Sequence, residues 1–191
     1  MELVMSARSL HRIGAVFALV LVAAAAVVAP PARAAMAEID RLQQIKAAYL
    51  YNFARFANWP PGKLSASDKT IQFCVLDNDP LVPALEEVLQ GKSIDAQVAV
   101  VRRVQRVDDM RSCHIAYLGS VEPSRLVAAL ESLAGANVLT VYEGTETIRA
   151  GAIRLFLEER KVRFEVNLSL VQREHLELSS HLLNVARVVR E

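Results

Sequence analysis

Ile45, Ala48, Tyr49, Asn52, Phe53 and Phe56 recur three and four residues apart, the period of a helix that buries one stripe. The pattern predicts a helix over residues 38–57, with Asp40 near its start, where the helix dipole favours an acid. Pro60 and Pro61 stop it, because proline has no N–H and disfavours a helical residue before it. Phe53, Phe56 and Trp59 are thereby delivered to one place, as core rings or, for Trp59, as part of a groove at the helix end. After a loop at residues 60–69 the period changes. TIQFCVL, residues 70–76, is a short apolar run of strand formers and reads as a buried strand. Asp79 is placed as an N-cap with Pro80 at the first helical position; Leu81, Leu85, Val88 and Leu89 form that helix's apolar face, and Gly91 ends it. Residues 96–101, 113–118 and 138–142 read as strands. A mixed-charge connection with room for a helical turn fills residues 102–111, and residues 122–133 read as a helix. Residues 153–157 and 162–166 form a hairpin around Glu158 to Lys161, after a loop or short helix at 145–151. Helical patterns over 167–174 and 179–189 close the chain, the last capped by Ser179 with Leu182, Leu183, Val185, Ala186 and Val189 available for burial. Strands alternating with helices predict an α/β three-layer sandwich: a largely parallel sheet of about five or six short strands, an antiparallel hairpin near the C-terminus, and helices on both faces.

Composition changes this picture at one end. The chain is 53% apolar, and the excess sits in residues 13–28. Arg8, His11 and Arg12 precede that run and Ala32-Arg33-Ala34 follows it, the order of a cleaved secretory signal peptide. The run is shorter than the roughly 20 residues a bilayer span needs. Residues 1–34 are therefore expected to be removed, leaving a single exported domain over 35–191. Charge is balanced, 22 Lys and Arg against 21 Asp and Glu, so no basic excess attracts nucleic acid. The two cysteines, Cys74 and Cys113, lie in the exported part. An oxidising compartment permits a disulfide between them, with about 3–4 kcal/mol of stabilisation on the chain-entropy view; two buried free thiols are the alternative.

Catalytic chemistry finds little support. The strand at 70–76 ends in Asp77-Asn78-Asp79-Pro80 without a glycine-rich loop, and no phosphate-loop motif occurs. His175 and His181 are not at the i, i+4 spacing of a helical metal pair. Ser179-Ser180-His181 reads as a cap followed by a solvated histidine, because adjacent helical residues diverge; a hydrolase using Ser180 or His181 is the weakest reading. Glu158 and Glu159 read as a solvated cluster beside Arg160 and Lys161. No catalytic residue, metal or cofactor is predicted, and binding leads.

The helix itself, Lys46-Ala47-Ala48-Tyr49-Leu50-Tyr51-Asn52-Phe53 with Phe56, Trp59 and Pro60, resembles the signature of the YfiR family of small periplasmic proteins. The likeness continues through Gln72-Phe73-Cys74-Val75-Leu76, the cysteine at 113, Leu139-Thr140-Val141, Arg163-Phe164-Glu165-Val166-Asn167-Leu168, and Leu176 to Ala186. Two departures stand out. The usual G-G-m-I reads Ala150-Gly151-Ala152-Ile153, and a second cysteine pair found in some members is absent. The resemblance implies a non-enzymatic periplasmic regulator, homodimeric, that binds and represses the periplasmic sensor domain of an inner-membrane diguanylate cyclase. It implies a second partner, an outer-membrane lipoprotein with a peptidoglycan-binding domain, and control of cyclic di-GMP, exopolysaccharide and biofilm. Phe56, Trp59, Pro60, Leu182 and Leu183 are the candidate partner surface; Tyr49, Asn52, Phe53, Phe164, Asn167, Ser179 and Ser180 are motif residues with structural roles. A periplasmic small-ligand binder is the competing reading.

Overall fold

The computed structural model describes residues 31–64, 68–145 and 150–189. The chain divides into two units, residues 1–39 and 40–191. In the first, the described residues begin helix α1 (Pro31–Arg55), and Met36 and Ile39 are exposed. That helix starts earlier than the pattern predicts. Residues 1–30, most of the expected leader, lie outside the described residues, as does the greater part of the 145–151 connection.

In the second unit, α1 is followed by β1 (Ala57–Asn58), β2 (Thr70–Leu76), α2 (Val82–Leu89), β3 (Ser93–Ile94) and β4 (Gln97–Val104). A 3-10 helix (Val107–Ser112), β5 (Ile115–Tyr117), α3 (Pro123–Ser132), β6 (Leu139–Glu143), β7 (Ile153–Glu158) and β8 (Lys161–Asn167) come next. The chain closes with α4 (Leu168–Arg173), β9 (Glu177–Leu178), α5 (Ser180–Leu183) and β10 (Arg187–Val189). The main sheet runs β10-β8-β7-β6-β5-β2-β4-β3. Strands β4, β2, β5, β6 and β7 are parallel, and β8 returns antiparallel to β7. The α/β architecture is the expected one; the sheet is wider because the short strands β3 and β10 extend its edges.

Strand alternation builds two cores. Ile71, Phe73 and Val75 of β2, Ile115 and Tyr117 of β5, and Leu139 and Val141 of β6 face α1 and α2. Cys74, Ala116 and Tyr142 face α3 and the 3-10 helix, against Met110, Leu126 and Leu130. Period-two side chains on a sheet covered on both sides require this arrangement. Tyr49, Phe53 and Phe164 lock α1 to the hairpin: Phe53 and Phe164 lie 5.0 Å apart, and Tyr49 sits 5.8 Å from Phe53 and 5.4 Å from Phe164. The Tyr49 hydroxyl donates to Val162 O at 3.3 Å. The hairpin turns on Glu159 and Arg160, both at positive φ (49° and 62°), as the primed turns that match strand twist require. Gly151, the glycine kept from the usual pair, lies against Tyr142, whose ring would overlap a Cβ there.

Two expectations need correction. The closing helix predicted over 179–189 is only α5; residues 187–189 instead pair with Glu165–Asn167 as β10. Leu182 to Val189 carries apolar spacing that suits a helix, but Val188-Val189 is β-branched and the edge of β8 offers unpaired backbone groups. The helix after β2 starts at Val82, not at Pro80, because Asp79 accepts from Leu81 N at 2.8 Å in a side-chain turn of its own.

Candidate functional site

An open α/β sheet binds ligands beyond the carboxyl ends of its strands, where the strand order reverses. Here the chain goes from β2 to β4 on one flank and then to β5 on the other, so the switch point lies between β2 and β5. The protein fills it with its own side chains. Asp79, after β2, is buried; its Oδ1 accepts from Leu81 N and its Oδ2 accepts from Ser120 N at 3.1 Å, after β5. Backbone N–H groups at such a place hold phosphates in nucleotide-binding sheets; in this chain an internal carboxylate holds them. Burial, outweighing those two hydrogen bonds, pushes the Asp79 carboxyl above its usual range. Beside it the Tyr117 hydroxyl donates to Glu143 Oε1, and Lys46 of α1 forms an ion pair with Glu143 at 2.7 Å. Burial and then the Glu143 charge raise the Tyr117 phenol well above normal. Gly119 gives the Tyr117 hydroxyl its room, since a Cβ at 119 would overlap it. The sequence signals only part of this: Asp79 reads as a cap, Lys46 as a motif residue, and the contact from Lys46 to Glu143 spans 97 positions.

The candidate partner residues lie at the opposite end. Strands β1 and β9 pair, Ala57 with Leu178 and Asn58 with Glu177, and Ser179 N donates to Phe56 O at 2.9 Å. This two-stranded ribbon, too short to read from sequence, joins the end of α1 to the start of α5. Phe56 lies 6.5 Å from the His181 ring and 5.6 Å from the Arg55 guanidinium. Ser179 caps α5, accepting from Leu182 N at 3.4 Å, and Ser180 opens that helix. Asn167 caps α4 through Leu170 N at 3.0 Å. Phe56, Trp59, Pro60, Asn52 and Leu183 are half-buried. Leu182 is 4% exposed and supports that face from within rather than adding area to it.

Trp59 leans on the sheet. Its Nε1 donates to His114 O at 3.2 Å, and its ring meets the His114 ring edge-on at 5.9 Å. Lys63 follows in the same loop, donating to Arg111 O at 2.7 Å. Burial, then Arg111, holds its ammonium down at about 8. His114 adjoins Cys113, which is disulfide-bonded to Cys74 with Cα atoms 6.1 Å apart. Both cysteines are fully buried. The bond ties β2 to the segment entering β5. Between α3 and α4 a groove of about 790 Å³ is lined by Leu130, Leu133, Val138, Thr140, Asn167 and Leu170 among others. Among the described residues no helix is long and apolar enough to cross a membrane, and no cluster of His, Cys, Asp and Glu is arranged to hold a metal.

A family model described as YfiR/HmsC-like matches residues 43–187. No curated protein matches the chain. Among solved structures, the chain is similar to an ABC domain in complex with L-Trp from Streptococcus pneumonia, at 11% identity and a TM-score of 0.46, covering 68% of this chain and 57% of that one. It is also similar to a conserved domain protein from Vibrio cholerae O1 biovar El Tor strain N16961, at 10% identity and a TM-score of 0.43, covering 64% of this chain and 55% of that one. The chain thus spans little more than half the length of these two structures.

Proposed function

The chain belongs to the YfiR/HmsC-like family, and from that premise we propose that it regulates cyclic di-GMP signalling from the periplasm, as a repressor of an inner-membrane diguanylate cyclase. The observation that carries this reading is the extent of the family match, from within α1 to the first residue of β10. The domain binds the cyclase's periplasmic sensor and transforms no substrate. A repressor shifts a two-state enzyme only by its difference in affinity for the two states, and a shift from 1:99 to 99:1 asks for about 10⁴-fold preference. Phe56, Trp59, Pro60 and Leu183, beside the β1–β9 ribbon, supply the contact area. An outer-membrane peptidoglycan-binding lipoprotein competes for the regulator, which acts as a homodimer after its leader is removed.

The test is affinity between the exported domain and the cyclase's periplasmic domain. Trp59→Ala is expected to weaken it about 30-fold or more, the loss of one aromatic hot spot, with an unchanged circular dichroism spectrum. Undiminished affinity in a folded variant would remove Trp59 from the surface. The α3–α4 groove supports a second reading, a small-ligand binder, since its volume is in the range of small-molecule sites. Stabilisation by a member of a metabolite panel in a thermal-shift assay would favour it.

A further inference from the structure

Trp59 is the chain's single tryptophan, and one histidine holds it. The backbone O of His114 accepts from Trp59 Nε1. Its ring Nδ1 accepts from Gln72 N at 3.0 Å, and its Nε2 lies 3.2 Å from Lys63 O. An N–H pointing at Nδ1 leaves the ring proton on Nε2, which therefore donates to the Lys63 carbonyl. His114 N in turn donates to Gln72 O at 3.2 Å. The ring nitrogen thus occupies the place in the β2–β5 ladder that a carbonyl would take, while its far side grips the loop that carries Trp59. The neutral ring suits both partners. An imidazolium would set an N–H against the Gln72 N–H, donor facing donor.

Charged groups act on the ring itself or on the residues beside it. Lys63 is on the gripped loop and Asp68 precedes β2. Arg111 of the 3-10 helix and Glu174 after α4 act on Lys63. Arg102 of β4 places Nη1 3.8 Å from Cys113 Sγ. Burial opposes a charge on His114 most strongly, and its pKa is lowered despite the Lys63 carbonyl and Asp68.

We propose that His114 is the positioning residue of the Trp59 loop and an acid-operated latch: a second proton on its ring sets Nδ1–H against the Gln72 N–H, turns the ring out of that place, and so carries its Nε2–H away from the Lys63 carbonyl and loosens residues 59–63 from the sheet. The consequence for partner binding rests on the regulatory reading above. The latch itself is measured on the isolated protein, so its failure and the failure of cyclase binding are separate results. Emission from Trp59 is followed as the full exported domain is acidified from about pH 8 to about pH 5, across the range in which histidine titrates. The expected result is a red shift with a one-proton midpoint below 6.5, the ordinary histidine value, at constant far-ultraviolet dichroism. The shift is lost in His114→Gln and kept in His175→Gln and His181→Gln. Flat emission, a shift that survives His114→Gln, or a shift that accompanies loss of helix signal overturns the latch. Should His114→Gln fail to fold, nuclear magnetic resonance of the unaltered chain decides. The Gln72 amide must move with the midpoint of the His114 ring, and an unmoved amide overturns the proposal.

Discussion

Arg154 and Glu165 face each other across the β7–β8 hairpin, their side chains 8% and 6% exposed and their charged atoms 3.0 Å apart. Arg154 also donates to the carbonyls of Gly144 and Thr145 and lies 4.3 Å above the Phe156 ring. Removing Arg154 takes the countercharge from a buried carboxylate and the donor from two carbonyls, so Arg154→Met is expected to cost about 3–5 kcal/mol. Adding Glu165→Leu should recover part of that loss, because the carboxylate that lost its countercharge goes with it. Equilibrium denaturation of both variants checks this; a double variant no more stable than the single one would show that the lost countercharge is not the cause. At this scale the sequence is only partly legible. The apolar positions and the cysteines announce themselves through period and type. A glutamate in a run such as Arg163-Phe164-Glu165-Val166 looks like any outward strand residue until the opposing strand is known. Asp79 is similar: its bond to Leu81 N is local and readable, whereas its bond to Ser120 N depends on which two loops the sheet brings together.

At the scale of elements, the Cys74–Cys113 bond joins β2 to the entry of β5 across 39 positions. The chain-entropy model gives the closed loop about 3–4 kcal/mol of stabilisation. Replacing both cysteines with alanine should lower unfolding stability by about that amount, less any repacking around Met110. Both sulfurs are buried, so a reductant should open the bond only as fast as the domain itself opens. Alkylation of the folded protein that is rapid and independent of denaturant would contradict this. Elements with strong local signals are readable: Thr70–Leu76 has the predicted bounds, and the hairpin and α3 are displaced by no more than a residue or two. The end of the chain is not. Residues 187–189 carry apolar spacing that a helix could use, and what decides their state is the free edge of β8, a partner more than 20 positions away. The ribbon of β1 and β9 has two residues per strand, below the length at which alternation carries information.

For the whole molecule, two buried groups give stability opposite dependences on pH. His114 has its folded value below the ordinary 6.5. Its contribution is complete above 6.5 and declines as pH falls, because the unfolded chain takes the proton first. Asp79 has its folded value above 3.8, so the folded chain takes that proton first and stability from this group rises as pH falls through the window above 3.8. Denaturation midpoints measured between neutrality and mild acid should therefore decline below about pH 6.5, and His114→Gln should flatten that decline. A decline unchanged in the variant would assign it elsewhere. Asp79 has a further bearing on what this molecule can be told. Its carboxylate is a resident anion, tethered to the chain and so present at a local concentration well above that of a free metabolite. A phosphorylated messenger seeking the same two amides would compete against an occupant that never diffuses away. The centre of the scaffold is deaf to such solutes, and news from outside has to arrive along its flanks.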